Sequence, residues 1–118
     1  MTVHVRGICM ALPHVVERVS HGEAAWFIDG GKNFAVMSDH HHDDRLAVHF
    51  AAEPGVQDSL IASDPARFFR PPYVGGRGWV GAYLDLAGSK RSPSWDLLAQ
   101  LIRDAWLHVA PARLRSDL

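Results

Sequence analysis

The chain is short of several things, and each shortage excludes something. It has one cysteine, Cys9, so no intramolecular disulfide can form and no zinc-finger cysteine spacing exists. Cys9 lies among Ile8, Met10 and Leu12 with no basic neighbour to stabilise a thiolate, which reads as a small core residue. No apolar run approaches the roughly 20 residues that a membrane span needs. The opening stretch, MTVHVRGICMALP, lacks the charged start and long apolar run of a secretory signal, so a cytoplasmic protein is expected. There is no strong charge of either sign: 12 basic residues face 13 acidic ones. No global field therefore draws the protein to nucleic acid or to a membrane surface. The glycines at 75, 76 and 78 do not form a phosphate loop, because the Lys-Ser/Thr that follows such a loop is absent.

What is present suits one domain over residues 1–118. The sequence is 47% hydrophobic and 21% charged, ordinary values for a globular chain with a real core. Val5, Ile8 and Leu12 recur at helical spacing after Thr2, a possible cap, and Pro13 should end that helix. Two aromatic and β-branched runs flank Asp29-Gly30-Gly31, which predicts a hairpin. RLAVHF, residues 45–50, predicts a third strand with Leu46, Val48 and Phe50 on one face and Ala47 and His49 on the other. Val56, Leu60 and Ile61 stripe a short helix that stops before Pro65.

RFFRPPYVGGRG is proline- and glycine-rich and reads as a loop or an edge strand. WVGAYLDL, residues 79–86, alternates, with Val80, Ala82, Leu84 and Leu86 opposite Trp79 and Tyr83. Ser92 followed by Pro93 predicts the start of a last helix that runs to about Val109. Its buried side is Leu98, Ile102 and Ala105, and its wet side Asp96, Gln100 and Arg103. The expected order is α-β-β-β-α-β-α. Strands joined mainly by hairpins give an antiparallel sheet with helices on one face, the α+β class.

Several of these stretches together resemble the MmcQ/YjbR family. LPHVVERVSHGEAAWFIDGGKNFAVM looks like that family's opening, with Gly31, Lys32 and Phe34 in its Gly-Lys-x-Phe hairpin. PPYVGGRGWVGAYLDL is similar to its tyrosine–glycine loop followed by Gly78, Trp79 and Val80. WDLLAQLIRDAWLHVAPARL resembles its terminal helix, with Leu98 and Leu101 in leucine positions and Trp106 at an aromatic one. The resemblance implies a small cytoplasmic α/β protein whose sheet is similar to a double-wing DNA-binding motif. It implies no catalytic residue and no cofactor, since the family has neither established activity nor agreed catalytic positions.

Two constellations carry possible chemistry. In SDHHHDD, residues 38–44, His40 and His42 would point one way along a strand and could share a metal, with Asp39 or Asp44 as a third ligand. His49 cannot join them. It would pair near Ala35, about five residues or roughly 16 Å from His40. We read the run as a polar hairpin turn, one that departs from the family pattern.

The second constellation is basic and aromatic. Residues 67–91 net +4 while the rest nets −5. Arg67, Arg70, Arg77, Lys90 and Arg91 alternate with Phe68, Phe69, Tyr73, Trp79 and Tyr83. Cations for phosphates and rings for bases are what nucleic-acid surfaces combine. DNA is therefore the expected ligand, with Lys32, Arg70, Arg77, Lys90 and Arg91 on phosphates and Tyr73 and Trp79 on bases. The same residues fit another account, in which Phe68 and Phe69 join the core and the arginines are solvated or paired. A cleft around Trp79 for a small molecule or a partner protein is the alternative function. His14, Glu17 and His21 lie close in sequence but have no positioned nucleophile, so no catalytic set is expected. An exposed edge strand could pair two chains, but the sequence does not give an oligomeric state.

Overall fold

Helix α1 (Thr2–Met10) buries Val5 and Cys9, four residues apart on one side. Its N-cap is Met1, so Thr2 lies inside the helix and does not cap it. The chain then enters β1 (Val15–Ser20), a strand absent from the sequence reading. β1 turns into β2 (Glu23–Ile28) through His21 and Gly22, with φ of 51° and 79°. Two consecutive positive φ values give the tight hairpin turn whose twist matches the strands. The Asp29–Lys32 connection leads into β3 (Asn33–Asp39), as expected. The β2–β3 register shifts between Trp26 and Phe27. The Asn33 side-chain amide fills that irregularity, donating to Trp26 O at 2.9 Å and Ala35 O at 2.8 Å.

β4 (Leu46–Phe50) is followed by α2 (Val56–Ser63), the two-residue β5 (Phe68–Phe69), a 3-10 turn (Val74–Arg77) and β6 (Val80–Tyr83). α3 (Trp95–Val109) and the short α4 (Ala112–Arg115) close the chain. These elements come from a computed structural model that describes residues 1–39, 45–85 and 94–118. The observed order is thus α-β-β-β-β-α-β-β-α-α, with β1 and α4 added to the expected elements and β5 as the edge strand that RFFRPPYVGGRG allowed. α3 begins at Trp95 after Ser94, two residues later than the Ser92 cap predicted, and Ser92 and Pro93 lie outside the described residues.

All neighbouring strands are antiparallel, in the order β1-β2-β3-β4-β6-β5. The fold class is α+β, as expected. Strand β6 pairs with β4 although α2 and β5 intervene in sequence. Trp26, Ala35, Phe50 and Val80 fall in line across four strands and face the core. α3 packs over β3, and α1 packs against α3 and β1. Leu98, Ile102, Ala105 and Trp106 form the buried side of α3, and Trp106 Nε1 donates to Pro13 O at 3.0 Å. Asp96, Gln100 and Arg103 are exposed, so the predicted faces of this helix hold.

A carboxylate also enters this layer. Glu17 of β1 lies opposite Trp26, and its Oε1 accepts from Arg6 Nε at 2.7 Å and from Trp26 Nε1 at 2.9 Å. The Arg6 hydrogen bond is the main cause that holds this carboxyl below the usual carboxylate range.

The opposite face carries a column of rings. Gly81 lies between Phe69 on β5 and His49 on β4. A Cβ at Gly81 would come 2.5–2.6 Å from two ring carbons of Phe69, so the glycine makes the room that ring occupies. Phe69 stacks on Tyr83 at 4.4 Å between centroids and meets His49 edge-on at 5.6 Å. Arg45 Cζ lies 3.6 Å from the Tyr83 centroid while its Nε stands 3.4 Å from Asp85 Oδ1.

Candidate nucleic-acid interface

The loop from Arg70 to Trp79 leaves the sheet at β5 and returns at β6. Its backbone is tied at several points. Gly75 N donates to Pro71 O at 3.0 Å and Gly78 N to Gly75 O at 3.1 Å. Gln57 of α2 reaches under the loop and donates from Nε2 to Gly75 O at 2.9 Å and to Trp79 O at 2.6 Å. Gln57 is buried, and these bonds satisfy the amide that burial would otherwise penalise. The sequence reading missed Gln57. Its signal was a polar residue in line with Leu60 and Ile61 on the buried stripe of α2.

This frame positions two guanidinium groups. The Arg70 side chain lies across the 3-10 turn: a Cβ added at Gly75 would meet its Cγ at 2.6 Å, and one at Gly76 its Nη2 at 3.8 Å. Arg77 Cζ stands 5.5 Å from the Trp79 ring centroid, within cation–π reach. Both arginines are exposed, and neither forms an ion pair among the described residues. Arg67 differs. Its side chain is 12% exposed and its Nε stands 3.6 Å from Asp64, so it is engaged within the protein.

Tyr73 sits between the two arginines. Its ring is fully exposed, at 100%. Its backbone has φ 64° and ψ −64°, and Val74 N donates across it to Pro72 O at 2.7 Å. That is a γ-turn of the rare, strained kind, held on a residue with a Cβ.

Lys32 is exposed in the β2–β3 turn. The registers put that turn at the end of the sheet where the Arg70–Trp79 loop also projects. β3 and β6 are two strand spacings apart, about 10 Å. The exposed Glu53 follows β4, the strand between them. Lys90 and Arg91 lie outside the described residues, as do His40 and His42 of the histidine run. Among the described residues, no three metal-ligating side chains gather. His49 pairs with Val36, one residue from the expected Ala35.

Trp79 requires a correction. It was expected to offer its ring to a base or to line a cleft, but it is 4% exposed and belongs to the core cluster. The reason is local. Trp79 lies between Gly78, at φ 87°, and β6, which begins at Val80, so it is outside the strand whose alternation was used to place it. A cavity of about 240 Å³ does exist, lined by Phe50, Ala51, Ala52, Val56, Leu101 and Leu107 with Glu53 and Asp104, but Trp79 is not in its wall.

The group at 14–21 is dispersed. His14 Nε2 lies 2.7 Å from Asp117 Oδ2, Glu17 is held by Arg6 and Trp26, and His21 shapes a turn. Burial pushes the Cys9 thiol up, away from the thiolate form that would react.

The sequence model of the YjbR family matches residues 10–108. The chain belongs to the YjbR family. The fold agrees: the crystal structure of Deinococcus radiodurans protein DR2400, a DUF419 domain, superposes with a TM-score of 0.75. That match covers 99% of this chain and 86% of the other at 17% identity, so it speaks for the fold alone. No curated protein matches the sequence. No helix among the described residues is long and apolar enough to cross a membrane.

Proposed function

We propose that this YjbR-family protein is a cytoplasmic, non-catalytic binder of nucleic acid, with DNA the first ligand to test. The observation that carries the reading is the pair Arg70 and Arg77. Both are held on one tied loop, both are exposed, and no carboxylate neutralises either among the described residues. A braced guanidinium loses less freedom on meeting a phosphate than a free one does. Lys32 adds a third exposed cation at the same end of the sheet, with Glu53 between it and the loop. The resemblance of the family sheet to a double-wing DNA-binding motif points in the same direction.

The experiment is a titration of labelled short duplex DNA at low and moderate salt. Binding should weaken steeply as salt rises, because each phosphate contact releases counterions. Arg70→Ala and Arg77→Ala should each lower affinity and reduce the salt slope by about 1. Absence of binding by micromolar protein at low salt, both to the duplex and to its separated strands, would overturn the reading.

A further inference from the structure

We infer that Tyr73 is a stacking post for one unpaired base, which makes the preferred ligand a single-stranded nucleic acid. This deepens the proposed function and rests on it.

Two facts about Tyr73 need a common explanation. Its ring makes no shelter for itself, being wholly exposed. Its backbone occupies a γ-turn that glycine would adopt without strain. A fold gains nothing from a strained residue whose side chain touches nothing. A ring that a fixed backbone projects into solvent does gain when a flat ligand lies on it, because the place of the ring is set before binding.

The other rings define what that ligand is. Phe69 and Tyr83 stack on each other, and Arg45 covers Tyr83. Trp79 is buried and Phe27 lies 5.5 Å from Arg18. Among the described residues, Tyr73 is the one aromatic side chain that stands fully in solvent. The described residues therefore offer one fully exposed stacking ring, with a guanidinium on either side of it in sequence. That pattern suits one base with backbone phosphates running past it.

Duplex DNA fits less well. Its bases already stack on their neighbours, and flipping one out costs a few stacking contacts. One base on one aromatic ring is worth roughly 5- to 150-fold in affinity, which does no more than offset that cost. A single strand presents the base without it.

The test compares a short labelled single strand of mixed sequence with the same strand annealed into a blunt duplex. Both are titrated with the intact protein and its Tyr73→Phe, Tyr73→Ala and Arg77→Ala variants. Circular dichroism establishes that each variant is folded. The expected result is tighter binding of the single strand, retained by Tyr73→Phe and reduced at least about 5-fold by Tyr73→Ala. Duplex affinity should change little in Tyr73→Ala. If Tyr73→Ala binds the single strand as well as the parent while Arg77→Ala does not, the stacking inference is overturned and the nucleic-acid reading stands. If heparin displaces the strand from parent and Tyr73→Ala protein with equal ease, the site is a simple polyanion site and the inference again falls. If neither strand form binds at low salt, the underlying reading falls with it.

Discussion

Arg70 lies across Gly75 so closely that a methyl group on the glycine would stand 2.6 Å from Arg70 Cγ and 3.3 Å from its Nε. The glycine is a seat for the arginine. Gly75→Ala should therefore displace the exposed Arg70 side chain from its seat and leave the buried framework intact. We expect a small change in thermal midpoint and a loss of nucleic-acid affinity equal to that of Arg70→Ala. The double variant should lose no more than either single one, since both remove the same placed guanidinium. A double-mutant cycle on binding checks this.

Tyr73→Gly tests the strain in the γ-turn from the side of stability. Relief of an unfavourable backbone region is worth about 1–3 kcal/mol, and the extra unfolded-state freedom of glycine costs about 0.5–1 kcal/mol. The net expectation is a gain of roughly 1 kcal/mol in chemical denaturation. A variant that is more stable yet binds less would place the strain with the function and not with the fold.

Gly81→Ala should be harmful. Its Cβ would enter the Phe69 ring at 2.5–2.6 Å, and Phe69 is held by Tyr83 and His49 as well as by its own short strand. Overpacking of this type costs about 1–3 kcal/mol. Denaturation of Gly81→Ala alone and combined with Phe69→Ala separates the causes: the second change should make the alanine at 81 nearly neutral.

Glu17 predicts a dependence on pH. The Arg6 guanidinium, with help from the Trp26 indole and against partial burial, holds the folded carboxyl below its unfolded value near 4.3. A depressed folded value means the stabilisation is fully present above that unfolded value. It is lost as pH falls through the folded value. Glu17→Gln should lower the urea midpoint at neutral pH, and the gap to the parent should close in acid. Urea titrations of both proteins at neutral and acidic pH measure it.

The sequence was readable where one face of an element decides everything. Asp29-Gly30-Gly31 marked its turn, RLAVHF showed its two faces, and Leu98, Ile102 and Ala105 marked the buried side of α3. β1 escaped because VVERVS breaks the apolar pattern. Glu17 points into the core layer, and only its long-range partners Arg6 and Trp26 make that tolerable. Trp79 misled for the converse reason: strand parity was carried one residue beyond the start of β6, onto a residue outside the strand. In the candidate site, the residue types in the Arg70–Arg77 stretch were visible. Their bracing was not, since Gln57 comes from another element and the γ-turn at Tyr73 is a property of backbone angles.

The two sides of the sheet end differently. β5 has two residues before Arg70, Pro71 and Pro72, and α2 packs against it, whereas β1 offers six residues along its outer side. Proline and brevity prevent a further strand from pairing at β5. Growth of the sheet is thus one-sided. A second copy that docked through β1 would use the open side of both chains at once, and the assembly would stop at two. The short strand that carries Phe69 to the basic loop thus closes that side of the sheet to a further strand.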